Sequence, residues 1–308
     1  MKTIIQHNSP VSPLELSELM IHSPAAPDLD PTSNLETATG RELLRLALNR
    51  KHQTGPIALP QEYARFLCGD DAIGRATKGE LFMGKDEILN QSFSVVATDD
   101  AQTIIDSYYL DHANMQRLYG FCHLDNSNIS LLILEYLPKG TVDGFLRTSH
   151  GRLQLHAQRR IQIMLDAARI LHKQKAPLDF TSGNIGLNLH LATKVCVPSE
   201  IPKDDVSPTV SFGILMMELL TGALQNDEKR QLGDFCERYA KGSEKFIEDD
   251  LDPYVRESWT FNILSQLIEL ALGCIEEDVE KRPSTEKLLD TLTLIESRMN
   301  AVTSCYDY

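Results

Sequence analysis

The sequence predicts an α+β fold in which a small β-rich N-terminal half precedes a larger helical half. Between residues 72 and 98, short runs rich in β-branched and aromatic residues are separated by turn-like segments, a pattern that is typical of antiparallel strands. After Gly140, apolar residues recur instead with a helical period. A chain of 308 residues, 42% of them hydrophobic, is long enough to bury a large core.

The first part of the chain precedes this β-rich region. Residues 1–38 are polar, rich in Pro and poor in aromatic residues, and they contain three Ser-Pro pairs. Segments of this composition cannot bury a core, so we predict a disordered tail. Residues 39–59 are predicted to form a helix and a linker. The helix begins at Gly40, and Pro56 and Pro60 prevent it from continuing.

The β-rich region begins with a predicted hairpin. The runs "GELFM" and "NQSFSVVAT" flank the segment "GKDE", which has the composition of a turn. The next run, "AQTIIDSYYLDH", is predicted to be a helix. The run "ISLLILEYL" is predicted to be a buried strand that ends before Pro138.

The helical half contains four strongly patterned segments. "LHAQRRIQIMLDAARILHKQ" is amphipathic, whereas "VSFGILMMELLTG" is apolar nearly all round, which indicates a buried helix that stops at Gly222. Two amphipathic helices follow, and Ser284 is the predicted N-cap of the last one. We expect Trp259 to pack in the core. The acidic run from Phe246 to Asp252 is predicted to be a solvated loop.

Composition excludes several classes of partner. The formal net charge is −14, and such a surface repels phosphate backbones and anionic lipid. The six cysteines are scattered, without a C-x-x-C pair, so no zinc site is predicted. No apolar run approaches the ~18 residues of a membrane span. We therefore predict a cytoplasmic protein that binds neither nucleic acid nor metal and does not insert into a membrane.

Several phrases, taken in order, resemble a protein kinase domain of the plant receptor-like kinase/Pelle type. They are "HANMQRLYGFC", "LLILEYLPKGTVDGFL", "RRIQIMLDAARILH", "SFGILMMELLTG" and "LALGCIEEDVEKRPSTEKLLDTL". The resemblance implies a bilobal protein kinase-like fold over residues 60–300. Its N-lobe would span about 60–137 and its C-lobe about 138–300, followed by a tail at 301–308. It also assigns Leu134 to the gatekeeper position, Arg282 to a structural arginine, and the hinge to Glu135, Tyr136 and Leu137.

The resemblance places a catalytic loop at "PLDFTSGN". Active kinases have H-R-D-x-x-x-x-N there. Asp179 falls on the position of the catalytic base and Asn184 on that of a metal ligand. The neighbouring functional positions have changed, because Pro177 and Leu178 replace the His and Arg, and Thr181 replaces the lysine that contacts the transferred phosphate.

Other kinase elements are missing from the positions that the resemblance assigns to them. Val197 lies where the Mg²⁺-binding Asp of DFG is expected, and a valine cannot bind a hard cation. Thr98 in "VVAT" replaces the β3 lysine, whose αC partner would fall near Thr103. The glycine loop is reduced to Gly74, which we interpret as a turn residue, and Pro208 replaces the αF aspartate. The activation segment is shortened and has no A-P-E motif.

These departures imply a pseudokinase that binds neither ATP nor Mg²⁺ and has no working catalytic residue. The resemblance suggests a signalling scaffold or adaptor whose partner is a kinase or an immune receptor, and which reaches the plasma membrane only through that partner. Two alternatives stay open. One is a weak or atypical serine/threonine kinase, with Lys85 or Lys78 as the cation and Asp204 or Asp205 as the metal ligand. The other is an ATP-binding switch without catalysis, in which the hinge would hold the nucleotide.

Overall fold

A computed structural model describes nine stretches of the chain, which are residues 35–49, 55–68, 72–76, 79–107, 112–125, 128–173, 178–196, 207–224 and 248–304. The predicted tail up to residue 34 lies outside them, as do Pro177, Val197, Lys78, Asp204 and Asp205. The chain forms two compact units. The N-terminal unit comprises residues up to Ala101 together with Leu118–Glu135, and the C-terminal unit comprises Gln102–Arg117 and the chain from Tyr136 onward.

The N-terminal unit is built on one six-stranded sheet. Its strands are β1 (Ile57–Ala58), β2 (Ala72–Ala76), β3 (Gly79–Asp86), β4 (Gln91–Thr98), β5 (Leu118–His123) and β6 (Ser130–Glu135). The order across the sheet is β1-β5-β6-β4-β3-β2, and only the β1–β5 pair is parallel. Strand β6 is buried at five of its six positions, which confirms the buried strand predicted from "ISLLILEYL".

The β3–β4 hairpin turns later than its sequence suggests. Gly84 and Lys85 still belong to β3 and pair with Phe93 and Ser92, so the predicted turn at "GKDE" is wrong by three residues. The turn lies at residues 87–90. It begins there because one carboxylate oxygen of Asp86 accepts hydrogen bonds from the next two free amides, those of Ile88 at 2.9 Å and Leu89 at 3.0 Å.

Strands β2 and β3 have almost no loop between them. Ala76 pairs directly with Gly79, so only two residues connect the strands. Gly74 lies within β2, at a shift in the pairing register, and not in a turn as its composition suggested. The described strands in the region that the resemblance assigns to the glycine-rich loop are therefore antiparallel partners.

Two helices pack on this sheet, α1 (Leu35–Asn49) and α2 (Gln61–Leu67). Helix α1 begins five residues before the predicted start at Gly40, so residues 35–38 are helical and do not belong to the tail. The Thr39 hydroxyl donates to the Leu35 carbonyl at 2.8 Å within its first turns. Leu44 and Ala47 of this helix are buried in the same apolar core as Phe93 and Val95 of the sheet.

A buried polar cluster fixes α1 to the sheet. Arg41 donates to Asp86 at 2.8 Å, and the Tyr63 hydroxyl donates to the same carboxylate oxygen at 2.9 Å. Burial alone would raise the pKa of Asp86, but hydrogen bonds from Leu89, Arg41 and Tyr63 together lower it. Burial and the hydrogen bond to Asp86 raise the pKa of Tyr63. The cluster therefore holds an ionised Asp86 at the start of the hairpin turn.

The C-terminal unit is mainly helical. Its helices are α3 (Ala101–Ser107), α4 (Val142–Leu146), α5 (Ser149–Gln154), α6 (Ala157–Lys173), α7 (Pro208–Thr221), α8 (Pro253–Arg256), α9 (Phe261–Cys274) and α10 (Thr285–Ser304). A small second sheet pairs β7 (Ile185–Leu187) with β8 (Thr193–Val195). Helix α7 is buried from Ser211 to Thr221, as its all-round apolar composition predicted.

Three details of the helical half match the sequence. Helix α7 stops at Gly222, which has a φ of 68°, in the left-handed region that favours glycine. Ser284 caps α10, because its hydroxyl accepts the Lys287 amide at 3.2 Å. The indole of Trp259 is packed in the core and is 4% exposed.

A fully buried ion pair ties three helices of this unit together. Arg160 of α6 donates to Asp252 at 2.7 Å, and both side chains have no exposed surface. Its other guanidinium nitrogens donate to the carbonyls of Leu155 and Leu219, each at 2.6 Å. Asp252 also caps α8 by accepting the Tyr254 amide at 3.1 Å. The prediction that the acidic run ending at Asp252 is a solvated loop is therefore wrong.

We expect Arg160→Met to lower the free energy of unfolding by about 3–5 kcal/mol, because it leaves a buried carboxylate without its cation. A matched control is Arg147→Met, since Arg147 pairs with Asp143 at 3.5 Å and is 56% exposed. That variant should cost at most about 1 kcal/mol. Urea unfolding followed by the fluorescence of Trp259, the only tryptophan, measures both. Equal losses in the two variants would contradict the role of the buried pair.

Candidate functional site

The candidate site is the loop at residues 178–184, between α6 and β7. It ends in a short 3-10 turn, Ser182–Asn184, that leads directly into β7. The turn brings together the two residues that the sequence singled out, because the Asn184 side-chain amide donates to Asp179 at 2.9 Å. The five-residue spacing is therefore a real juxtaposition in the folded loop.

Thr181 completes a closed set of hydrogen bonds around Asp179. The Thr181 amide donates to one carboxylate oxygen at 3.1 Å, and its hydroxyl donates to the other at 3.3 Å. The Asn184 amide group also lies 3.3 Å from the Thr181 hydroxyl. Both oxygens of Asp179 are thus satisfied by neutral groups of the same loop. Among the described residues, no Lys or Arg forms an ion pair with this carboxylate.

Apolar residues of the loop anchor it in the core of the C-terminal unit. Leu178, at the position of the kinase arginine, is 2% exposed, and Phe180 is fully buried. The Phe180 ring meets Phe212 of α7 edge-on, with ring centroids 6.3 Å apart. Leu178, which the resemblance assigns to the arginine position of the kinase loop, is therefore part of the hydrophobic core.

Two polar residues of α7 hold the backbone of the loop, and sequence reasoning missed both. The Ser211 hydroxyl accepts the Phe180 amide at 3.0 Å and donates to the Pro208 carbonyl at 3.1 Å. A Glu218 oxygen accepts the Ser182 amide at 3.3 Å. Pro208, which replaces the αF aspartate, is only the first residue of α7. The sequence signal that could have identified them is that Ser211 and Glu218 are isolated polar residues in an otherwise apolar helix.

The hinge segment meets the strand that follows the loop. Tyr136 and Leu137 are half-buried, and Leu134, assigned to the gatekeeper, is buried. A Cβ atom at Gly186 of β7 would lie 2.3 Å from a methyl carbon of Leu137. A side chain at Gly186 would therefore have to displace the end of the Leu137 side chain, which covers the backbone of β7 two residues after Asn184.

Thr98, which the resemblance assigns to the β3 lysine position, has a structural role in the N-terminal unit. Thr98 is the last residue of β4 and 2% exposed, and its hydroxyl accepts the Asp100 amide at 3.0 Å, next to the start of α3. The proposed substitute, Lys85, pairs with Ser92, six positions along β4 from Thr98. At the rise of a strand this is about 20 Å. Lys85 also lies 3.4 Å from Glu87 in an exposed pair, so it cannot replace the lost lysine.

Arg282 stabilises the connection between α9 and α10. Its Nε donates to the Glu276 carbonyl at 2.7 Å. Burial raises the pKa of the Cys274 thiol to about 12, and the nearby positive charge of Arg282 opposes this. The assignment of Arg282 as the structural arginine of the kinase family stays a prediction.

The described residues contain neither a candidate metal-binding cluster nor a candidate membrane-spanning helix. No cluster of three or more His, Cys, Asp or Glu side chains there could hold a metal ion. No helix among them is long and apolar enough to cross a membrane.

Comparison with known sequences finds plant kinases. No protein-family model matches the chain. The inactive serine/threonine-protein kinase BKN2 of Arabidopsis thaliana is 26% identical over 222 residues, which cover 59% of this chain and 65% of BKN2. The chain spans between 38% and 65% of the length of the first curated relatives that it matches.

Comparison with solved structures finds pseudokinases. The drought-responsive inactive kinase DRIK1, solved with ENMD-2076 bound, matches with a TM-score of 0.65 and 21% identity over 80% of this chain and 99% of that one. The pseudokinase domain of BIR2, an immune regulator of the RLK/Pelle family, matches with a TM-score of 0.64 and 18% identity over 82% of this chain and 94% of that one. The fold is that of a protein kinase, and the predicted α+β class and resemblance to receptor-like kinases of the RLK/Pelle type are confirmed.

We expect Ser211→Ala to lower the free energy of unfolding by about 1–3 kcal/mol, because it leaves the buried Phe180 amide without an acceptor. Ser297→Ala is the control, since that exposed hydroxyl only donates to a carbonyl of its own helix and should change stability by at most about 0.5 kcal/mol. Hydrogen exchange of residues 178–184 should accelerate in the first variant alone. Unchanged exchange there would refute the anchoring role of Ser211.

Proposed function

We propose that this chain is a catalytically inactive kinase-like protein that serves as a signalling scaffold or adaptor for a receptor-like kinase or an immune receptor. One observation carries the proposal. The carboxylate at the position of the catalytic base, Asp179, accepts hydrogen bonds at both of its oxygens from Thr181 and Asn184 of its own loop. A base must be within reach of the substrate proton that it removes, and here both oxygens serve the structure of the loop.

The charges that phosphoryl transfer needs are replaced by neutral residues. Catalysis of this reaction depends almost entirely on positioning and on electrostatic stabilisation of the transferred phosphoryl group. Thr181 takes the place of the loop lysine, Thr98 that of the β3 lysine, and Leu178 that of the loop arginine. Removal of one stabilising group typically costs about 100-fold to 1,000-fold in rate. Losing several together supports an inactive protein.

The residues present do not fit ATP with Mg²⁺, which the fold family implies. Mg²⁺ prefers oxygen ligands, often supplied by carboxylates. The Asp179 carboxylate is hydrogen-bonded within its loop, and the DFG position holds Val197.

The adaptor role has separate support. BKN2 is named as an inactive kinase and BIR2 as an immune regulator, so proteins similar to this chain include inactive and regulatory ones. A kinase fold without chemistry keeps its surfaces for protein partners. The net charge of −14 makes nucleic acid and bare lipid poor partners. We propose a cytoplasmic location, with any attachment to the plasma membrane made through the partner.

A second candidate is a nucleotide-binding switch or a weak serine/threonine kinase. It is favoured by the retained pair of Asp179 and Asn184, which lie 2.9 Å apart. The DRIK1 structure also shows an inactive kinase with a bound compound. Both versions require that nucleotide binds this chain, which the adaptor proposal does not.

Thermal unfolding of the full chain with and without millimolar Mg-ATP separates these proposals. A ligand at about 100 times its Kd stabilises a protein by about 2.7 kcal/mol, which raises Tm measurably. We expect no shift. A rise in Tm that Asn184→Ala abolishes would instead support the switch or the weak kinase.

The adaptor half is tested by affinity purification of the tagged full chain from its native tissue. We expect a protein kinase or a receptor among the proteins identified by mass spectrometry. A tag-only purification is the control. Recovery of neither class would contradict the adaptor proposal while leaving the result with Mg-ATP intact.

A further inference from the structure

The N-terminal unit has a cleft of about 520 Å³ that lies outside the loop at residues 178–184. It lies where α1 begins, beside the ends of the parallel strands β1 and β5. Leu35 of α1, with 80% of its surface exposed, and Phe121 of β5 contribute its largest apolar side chains. A volume of this size falls within the range of about 300–1,000 Å³ that ligand pockets occupy.

Charged residues of only one sign line this cleft. Glu36 and Asp125 belong to its wall, together with His123, and none of the lining residues is a Lys or an Arg. The chain as a whole carries a net charge of −14. A lining of apolar and acidic residues is complementary to a segment that carries an apolar side chain beside cationic ones.

The walls of the cleft are held in place by hydrogen bonds. The Gln61 side chain accepts the Asp125 amide at 2.6 Å, and this fixes the loop after β5. The His123 ring lies 2.6 Å from the Ser130 hydroxyl. A cleft whose walls are already fixed loses little conformational entropy when a ligand binds.

Strand β1 offers a backbone edge along this cleft. The Leu59 amide donates to the Phe121 carbonyl at 2.8 Å, and Ala58 is the ladder partner of Phe121. In a parallel ladder with this pattern, the N–H and C=O of Ala58 point away from β5. β1 is the outermost strand on that side of the described sheet, and Ala58 is exposed. Pro60 has no N–H, so only a short extended segment can pair there.

We propose that this cleft binds an extended peptide segment of a partner protein, which pairs with β1 at Ala58. An apolar side chain of the segment contacts Leu35 and Phe121. Cationic side chains two residues to either side lie near Glu36 and Asp125. Side chains two apart share one face of a strand, so the segment has the form cationic-x-apolar-x-cationic. This inference rests on the proposed adaptor role and names a surface and a class of partner for it.

Fluorescence anisotropy with the full chain and a fluorescein-labelled peptide, Arg-Gln-Leu-Gln-Arg, tests the proposal. Two control peptides are Arg-Gln-Gln-Gln-Arg, with the same charge, and Glu-Gln-Leu-Gln-Glu, with the charge reversed. We expect both to bind about fivefold or more weakly. Equal binding of the first control would show general charge attraction and overturn the proposal.

Variants of the chain locate the site. Leu35→Ser and Asp125→Lys should each weaken binding of the Leu peptide about fivefold or more. The controls are Leu46→Ser, on the same helix and 46% exposed, and Glu87→Lys, an exposed acid in the β3–β4 turn. Both controls should bind as the unchanged chain does. Equal losses in the cleft variants and the controls would overturn the location.

Two further arms test the strand pairing and the occupant. Two N-methylated probes are compared, one methylated at the backbone amide of Leu and the other at the backbone amides of both Gln residues. Pairing with β1 predicts that one of these two probes no longer binds. Equal binding of the two probes would refute the pairing. Displacement of the probe by a synthetic peptide of residues 1–34 would assign the cleft to the chain itself and overturn the partner. The peptide part of the probe contains no Ser, Thr or Tyr, so phosphate incorporation into the chain itself or into a protein substrate reports separately on the proposed inactivity.

Discussion

The buried pair of Arg160 and Asp252 is the interaction on which the helical half of this protein depends. It lies without solvent exposure at the meeting point of α6, the C-terminal end of α7 and the start of α8. Desolvating two charges is costly, and only good geometry and further hydrogen bonds offset that cost. Here the guanidinium also donates to carbonyls of the turn before α6 and of Leu219. The Asp252 amide donates in turn to Leu220 at 3.0 Å.

Helix α7 connects this pair to the candidate site. Its C-terminal end is fixed by Arg160, and its side chains at Ser211 and Glu218 hold the loop backbone. The loop then closes on itself through Asp179 and its neutral partners. The position of the loop therefore follows from the packing of α7 and requires no charge from a substrate or a metal. The loop is therefore held in place as part of the architecture of the C-terminal unit.

Local sequence patterns predicted the two halves of the fold, the buried α7 and its stop at Gly222, because short-range periodicity and local turn chemistry determine these features. The kinase resemblance placed Asp179 and Asn184 in one loop, but the hydrogen bond between them was not predicted. Local patterns gave wrong or missing predictions where contacts between residues distant in sequence determine the structure. An acidic run looks solvated until Arg160, 92 residues away, is placed against its last member. The role of Ser211 depends on an amide 31 residues earlier in the chain. A third error has a local cause. The β3–β4 turn lies later in the chain than predicted because Asp86 accepts two amides beyond it, and composition alone cannot show that.

The most direct test of the central claim is transfer of radiolabelled γ-phosphate by the full chain to itself and to a generic protein substrate in the presence of Mg²⁺. An Asp179→Asn variant is measured beside it, because that change keeps the side-chain shape and removes the carboxylate. We expect incorporation by both proteins to equal the background without protein. Incorporation by the unchanged chain that Asp179→Asn abolishes would show a working base and contradict the account.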